Sequence, residues 1–133
     1  KYGFGFGGPC LPRDNRALGH YSKNLGMELN LPLTVDNFNK EHANFLKNYF
    51  VGLNSDKGTP FVMDYITYKK GTDILEESQQ FQLCIDLLNE GYMVHVIESE
   101  DIAKKLNSLS ESYEGRLKFF KQGTNPQGFL IKL

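Results

Sequence analysis

The stretch that decides the fold is FVMDYITYKKGTDILEESQQFQLCIDLLNEGYMVHVI, residues 61–97. Residues 61–68 are rich in aromatic and β-branched side chains, which is typical of a β-strand. Residues 75–90 carry apolar side chains at helical spacing, and Gly91 suits the left-handed position that commonly ends a helix. Residues 92–97 predict a second strand. The order strand–helix–strand predicts two parallel strands joined by a right-handed crossover.

Weaker signals continue this pattern toward the end of the chain. Residues 101–109 predict a short helix, and residues 117–120 and 129–133 predict two strands that flank the turn GTNPQG. We therefore expect residues 55–133 to form a small Rossmann-like α/β unit built on a parallel sheet.

The part of the chain before this unit has a helical pattern. A helix over residues 12–25 is predicted by a proline at its first position and a glycine just after its end. A second helix is predicted over residues 33–50, ending before Gly52, because its apolar side chains recur at helical spacing. The polar stretch LNSDKGT, residues 53–59, predicts a boundary, so we expect a separate helical segment over residues 1–54.

Composition limits the possible classes of protein. The chain has 133 residues, of which 40% are hydrophobic, and its formal net charge is −1. Such a chain can form a packed core, and without basic runs it is not expected to bind nucleic acid or an anionic membrane. No apolar stretch approaches the roughly 20 residues of a membrane span, and two cysteines fit a reducing compartment, so we expect a soluble, cytoplasmic protein. His20, His42 and His95 have no cysteine or histidine partner at metal spacing, so no metal site is predicted.

The chain begins inside a glycine-rich loop, KYGFGFGGPC, residues 1–10, without an initiator methionine, so we expect it to be part of a longer polypeptide. Its glycines satisfy the dinucleotide pattern G-x-G-x-x-G, but no predicted strand precedes them, and Pro9 and Pro12 follow them. We therefore reject a pyrophosphate loop. Two interpretations remain: a loop of close backbone approach whose Phe4 and Phe6 shape a sugar pocket, or a plain linker.

Cys10 lies just before the first predicted helix, where free N–H groups and the helix dipole favour a thiolate. Arg13 adds positive charge nearby, whereas Asp14 disfavours the thiolate and is better suited to holding a water molecule. A nucleophile, a cation and a carboxylate at this spacing suit attack on a carbonyl carbon followed by hydrolysis. The residues alone leave a purely structural thiol open. Cys84 lies on the apolar face of its predicted helix and is assigned to the core.

Three segments resemble one family of enzymes. GFGGPCLPRDNRAL, residues 5–18, resembles the signature G-F-G-G-S-C-[FL]-P-K-D-x-x-[AN]-L of the UDP-glucose/GDP-mannose dehydrogenases. YKKGTDILEES, residues 68–78, resembles the family segment F-K-x-x-T-x-D-x-R-E-S, and LLNEGYMVHVIES, residues 87–99, resembles L-x-x-x-G-x-x-V-x-x-Y-D-P. The segments occur in the family's order and spacing, and they cover most of residues 3–99.

The resemblance implies an NAD-dependent enzyme that oxidises the C6 alcohol of a UDP- or GDP-sugar to the uronic acid. By position, Cys10 matches the nucleophile that carries the substrate as a thiohemiacetal and then as a thioester, and Asp14 matches the carboxylate that assists hydrolysis. Arg13 matches a lysine near the cofactor. NAD itself is expected to bind mainly to an upstream domain, so this segment alone is expected to be inactive.

The resemblance also implies how the substrate binds and how the protein assembles. Phe6 and Gly7 match loop residues that line the sugar site. Lys69 matches a lysine that reaches the nucleotide sugar, and Tyr68 matches the aromatic residue before it. The helix around Asn39 matches the central helix through which family members dimerise, so we expect a homodimer.

Three positions depart from the family pattern: Pro9 replaces a serine, Ile74 an aspartate and Glu76 an arginine. The intact GFGGPCLPRD favours an enzyme. Ile74 and Glu76 favour an alternative, a non-catalytic nucleotide-sugar-binding or assembly module with a degenerate site. Both interpretations stay open on the sequence, which also does not name the sugar.

Overall fold

Two long helices precede a small parallel sheet. The computed structural model describes residues 3–132 of the chain. In chain order the elements are α1 (Leu11–Asn24), α2 (Leu31–Leu53), β1 (Phe61–Met63), α3 (Gln79–Asn89), β2 (Val94–Ile97), α4 (Glu100–Lys105), α5 (Asn107–Ser112), β3 (Leu117–Phe120) and β4 (Phe129–Leu130). The predicted α/β class is confirmed.

The four strands are all parallel and lie in the order β3-β2-β1-β4. Phe61 of β1 pairs with Val94 of β2, as the strand–helix–strand pattern predicts. From β1 the chain moves outward through β2 to β3, and it then returns to the opposite side of β1 to form β4. The strand order therefore reverses between β1 and β4, and in open α/β sheets ligands bind at the carboxyl ends of the strands at such a point.

The core lies between the sheet and α3, because alternate residues of each strand point to that face. Phe50 of α2 is also buried in this core, so the helical segment and the sheet pack together. The division of the chain at residues 53–59 stays a prediction. The largest fully buried apolar side chains of the core are Phe61, Met63, Ile66, Leu87, Leu88, Ile102, Leu117, Val94 and Val96.

Two boundaries around the first strand differ from the prediction. The strand predicted over residues 61–68 ends at Met63, because the backbone that follows bonds to side chains rather than to a neighbouring strand: Ile66 N–H donates to Glu98. The helix predicted from residue 75 starts at Gln79, because the hydroxyl of Ser78 accepts the Phe81 N–H and caps it.

The other boundaries differ by smaller amounts. α2 starts at Leu31 and passes through Gly52, so the predicted stop before that glycine is wrong. A glycine inside a helix costs about 1 kcal/mol, and core packing of the adjacent Phe50 and Val51 can offset that cost. The single helix predicted over residues 101–109 is two short helices that meet at Leu106. β4 covers only the start of its predicted strand, and residue 133 lies outside the described residues.

Candidate functional site

The cysteine loop, residues 3–10, runs between α2 and the turn before α3. On the α2 side, the Asn39 side-chain amide donates to the Phe6 carbonyl at 2.8 Å. Nε2 of His42 lies 2.8 Å from the Gly3 carbonyl oxygen and donates to it in the matching tautomer. On the other side, Gly8 N–H donates to the backbone carbonyl of Glu77 at 3.3 Å. Hydrogen bonds therefore hold the loop from both sides.

The glycines of this loop are required by how closely its neighbours approach. A Cβ on Gly8 would lie 2.6 Å from the ring of Tyr68, and Gly8 also has a φ of +84°, which disfavours other residues. A Cβ on Gly7 would collide with the Glu77 carbonyl oxygen. The loop therefore packs closely against the protein's own backbone and side chains. The interpretation in which Phe4 and Phe6 shape a sugar pocket stays a prediction.

Cys10 occupies the position just before α1, and its side chain is exposed. Its backbone carbonyl accepts the Asp14 N–H at 2.8 Å, which is the first bond of the helix. Nε of Arg13 donates to the Asp14 carboxylate at 2.9 Å, and this hydrogen bond raises the pKa of Arg13 above its ordinary value. The structure thus brings the predicted nucleophile, cation and carboxylate together at one solvent-facing helix start.

A crevice of about 570 Å³ lies at the carboxyl ends of β1 and β4, where the strand order reverses. The start of the cysteine loop forms one wall of this crevice, and the turn after β1 forms another. Aromatic, amide and charged side chains face the same space, which suits a polar ligand with a flat ring. The lining residues are Gly3, Phe4, Gly5, Met63, Asp64, Tyr65, Tyr68, Gln80, Ile131 and Lys132.

The turn after β1 is held in place by Glu98, whose side chain is buried at the end of β2. One carboxylate oxygen of Glu98 accepts the Ile66 N–H at 3.1 Å, and the other accepts the Ser99 N–H at 3.0 Å. From the opposite direction, the Ser78 hydroxyl donates to the Ile66 carbonyl at 2.6 Å. Ile66 is thus fixed on both sides, which sets the position of the crevice wall. Glu98 was not predicted as a site residue, although a charged residue directly after a buried strand is a usable signal.

A network of charged side chains connects the first half of α1 to α2 and to the turn before α3. The Arg16 guanidinium donates to Glu77 at 2.8 and 3.2 Å, and its Nε donates to Asp36 of α2 at 2.9 Å. The hydrogen bonds to Glu77 are the main cause that raises the pKa of Arg16. The pKa of Asp36 is lowered, chiefly by the hydrogen bond from Lys40 and then by Arg16. No local pattern in the sequence indicated this network, because its members are far apart along the chain.

The structure brings only some of the predicted substrate-binding residues to the crevice. Tyr68 lines it, and Gly7 lies against Glu77 in the adjoining loop. Phe6 instead faces the apolar side of α2, and the side chain of Lys69 is exposed and does not line the crevice. The roles of all four residues stay predictions.

Cys84 is fully buried on α3, which confirms its assignment to the core. Burial raises the pKa of its thiol to about 12, so the thiol stays protonated at neutral pH. Within residues 3–132, no cluster of three or more His, Cys, Asp or Glu side chains could hold a metal ion. In the same part of the chain, no helix is long and apolar enough to cross a membrane.

Comparisons with known proteins relate this chain to one family of enzymes. Residues 1–41 match the model of the UDP-glucose/GDP-mannose dehydrogenase family, central domain. GDP-mannose 6-dehydrogenase of Pseudomonas putida is 27% identical over 111 residues, which are 84% of this chain and 25% of that protein. UDP-glucose 6-dehydrogenase of Rickettsia bellii is 31% identical over 98 residues, which are 72% of this chain and 23% of that protein. The chain spans about a quarter of the length of these curated relatives.

Two solved structures share the fold. A GDP-mannose dehydrogenase from Pseudomonas aeruginosa superposes with a TM-score of 0.73 at 23% identity, over 90% of this chain and 29% of that one. A UDP-glucose dehydrogenase from Pyrobaculum islandicum gives a TM-score of 0.72 at 21% identity, over 87% of this chain and 26% of that one. The Rossmann-like arrangement predicted from the sequence is confirmed by these superpositions.

Proposed function

We propose that this chain, a segment of the UDP-glucose/GDP-mannose dehydrogenase family, carries the covalent nucleophile of an NAD-dependent 6-dehydrogenase that acts on a UDP- or GDP-sugar. One observation carries the proposal. The loop that ends at the exposed Cys10 also forms a wall of the crevice at the carboxyl ends of β1 and β4. A nucleotide sugar bound there therefore lies against the loop that carries the thiol.

The proposed chemistry of this segment has two steps. In the first, the sulfur of Cys10 adds to the C6 carbon of the aldehyde, and the thiol proton passes to the carbonyl oxygen, which gives a thiohemiacetal. In the second, after loss of a hydride and a proton has converted the thiohemiacetal to the thioester, water adds to the acyl carbon and Asp14 accepts a proton from it. The bond between carbon and sulfur then breaks, and the Cys10 thiolate that leaves takes up this proton. The bond to sulfur keeps the reactive aldehyde from escaping between the two oxidations.

NAD, which accepts the hydrides, is expected to bind mainly to an upstream domain. The glycines of the cysteine loop pack against Glu77 and Tyr68 instead of opening a helix toward a pyrophosphate. The predicted cofactor contact, Arg13, is paired with Asp14. We therefore expect no measurable binding of NAD to this segment alone. Calorimetric titration tests this, and micromolar affinity would contradict it.

The crevice is the proposed binding site of the nucleotide sugar. Tyr65 and Tyr68 offer aromatic faces, and Lys132 offers a positive charge suited to a phosphate group. The buried Gln80 amide donates to the Tyr65 hydroxyl at 3.3 Å and fixes that ring. Tyr68→Ala should weaken the binding of UDP or GDP, whereas Tyr113→Ala, on the distant α5 side, should leave it unchanged.

We also propose a homodimer formed through α2. Phe38, Phe45 and Tyr49 are 68%, 60% and 49% exposed, and they line one apolar groove of about 980 Å³. Exposed apolar patches of this kind mark interaction surfaces. Phe45→Glu should convert the dimer to a monomer in light scattering at high micromolar concentration. Asn44→Glu, on the polar side of the same helix, should leave it dimeric, and a monomeric unmodified protein would contradict the proposal.

The decisive experiment on the function uses a longer protein that contains this segment. Cys10→Ser should lower acid formation by about a thousandfold while leaving nucleotide-sugar binding nearly unchanged, because serine lacks an activating base in this motif. Cys84→Ala provides the matched control and should keep most of the activity. Turnover at the unmodified rate in Cys10→Ser would make Cys10 structural and remove the mechanism.

A non-catalytic binding module is the second candidate, and Glu76 favours it. This exposed carboxylate stands where the family has arginine, and its negative charge lies close enough to Arg13 to contribute to the raised pKa of that residue. A longer protein that binds the nucleotide sugar but forms no acid with Cys10 intact would support this alternative.

A further inference from the structure

Asn39 is a buried polar side chain that faces the cysteine loop, and it is only 8% exposed. Its amide N–H donates to the Phe6 carbonyl at 2.8 Å. Its amide oxygen lies so close to Gly5 that a Cβ on that glycine would collide with it. Asn39 therefore contacts the backbone of two successive loop residues, across a large separation in sequence.

The loop needs such an anchor because its sequence favours disorder. Ordering one residue costs roughly 1–2 kcal/mol, and glycine loses more freedom than any other residue. On the side of the turn before α3, the loop packs against Tyr68 and Glu77, and the described hydrogen bond is the backbone bond from Gly8 to Glu77 at 3.3 Å. The α2 side supplies a shorter bond from a buried side chain, and His42 adds one at Gly3.

We propose that Asn39 is a positioning residue for Cys10: it holds the cysteine loop against α2 and thereby fixes the wall of the crevice and the approach to the thiol. This inference rests on the proposed role of Cys10 as the nucleophile. An amide suits the position because it donates a hydrogen bond while staying neutral. A carboxylate of the same shape would place a negative charge against the Phe6 carbonyl oxygen.

The test replaces Asn39 by its closest relative. In Asn39→Asp, hydrogen exchange of residues 3–9 at about pH 7.5 should be about tenfold faster than in the unmodified chain, because the loop loses a buried bond. Asn37→Asp is the control, since it makes the same change at an exposed position of α2, and its exchange should match the unmodified chain. Exchange in α3 and β2 should stay the same in both variants.

Acidification provides a second readout, which tests whether the hydrogen bond to the Phe6 carbonyl itself holds the loop. At about pH 4 the new carboxyl group is partly protonated and can donate to the Phe6 carbonyl, so the exchange ratio should fall back toward unity. The charged groups around this position belong to three elements, and the unmodified chain at the same pH accounts for their titration. They are Asp36, Lys40, His42 and Lys47 on α2, Arg16 on α1, Asp86 on α3 and Glu77 just before α3.

Three results would overturn the proposal: unchanged exchange of residues 3–9 in Asn39→Asp, an equal rise in exchange over the whole chain, or no recovery at acid pH. In a longer active protein, Asn39→Asp should lower kcat about tenfold while KM changes little. Hydrogen exchange requires neither substrate nor cofactor. A failure of the dehydrogenase proposal would therefore appear as missing activity with the exchange results intact.

Discussion

Cys10 and Cys84 have the same side chain, but one lies in an exposed and the other in a buried environment. Cys84 is enclosed by the apolar core between α3 and the sheet, and its burial raises the pKa of the thiol to about 12. Cys10 is exposed at the start of α1, beside Arg13 and Asp14. Apolar packing holds the first region, whereas hydrogen bonds to a glycine-rich backbone hold the second. The difference predicts that the surroundings of the two cysteines, and not their residue type, set how fast each thiol reacts.

The largest expected effect is on the rate of alkylation. At about pH 8, iodoacetamide should modify Cys10 about a thousandfold faster than Cys84, because the buried thiol is protonated and reacts only after local unfolding. Intact mass followed by peptide mapping measures both rates in one sample. Similar alkylation rates at the two cysteines would contradict the predicted difference between the exposed and the buried thiol.

The second effect concerns alkaline pH. Burial raises the pKa of Cys84 from 9.0 to about 12. The folded chain therefore keeps a proton that the unfolded chain loses, so the stabilisation is complete below about pH 9 and is lost as the pH rises toward about 12. In this window the free energy of unfolding should fall by up to about 1.4 kcal/mol per pH unit more than in Cys84→Ala. Urea titrations that give equal alkaline slopes for the two proteins would argue against a buried neutral thiol.

The third effect is on stability at neutral pH. Cys84→Ala should lower the free energy of unfolding by about 1–2 kcal/mol, because it removes a packed sulfur from the core. Cys10→Ala should change it by less than about 0.5 kcal/mol, since the side chain is exposed. Urea unfolding of both variants measures these free energies. A larger loss of unfolding free energy in Cys10→Ala than in Cys84→Ala would contradict the prediction.

The smallest expected effect is on the stability that the Arg16–Glu77 ion pair contributes, compared with the stability that apolar packing of Cys84 contributes. Glu77→Gln should cost about 0.5 kcal/mol, because the Arg16–Glu77 pair is partly solvent-exposed. That cost should nearly vanish in about 1 M salt, where exposed charges are screened. The cost of Cys84→Ala should persist there. A Glu77→Gln cost that does not depend on salt would mean that the side chain acts through packing instead.

The regular part of the fold could be predicted from the sequence because its signals are local. The parallel pairing of β1 and β2 and the body of α3 follow from residue spacing within one stretch. The turn after β1 could not be predicted, because its backbone bonds to Glu98 and Ser78, which are distant in sequence. Strand propensity alone extends β1 through these residues.

The same distinction between local and long-range contacts applies to the candidate site. The resemblance located Cys10 and Asp14, which lie within one turn of a helix, and the structure places them together. It did not indicate that Phe6 turns toward α2 or that Lys132 lines the crevice, because both depend on how separate elements pack. Asn39 as the anchor of the loop was likewise beyond local patterns, since the contact joins α2 to a segment that precedes α1.

The most direct test of the account is to trap the proposed covalent intermediate. In a longer protein that contains this segment, Asp14→Asn should slow hydrolysis more than oxidation, so an acyl group should accumulate on the enzyme during turnover. With NAD and the nucleotide sugar, intact mass should rise by one acyl sugar nucleotide, and peptide mapping should place it on Cys10. Absence of the adduct, or an adduct that persists in the Cys10→Ser, Asp14→Asn double variant, would contradict the central claim.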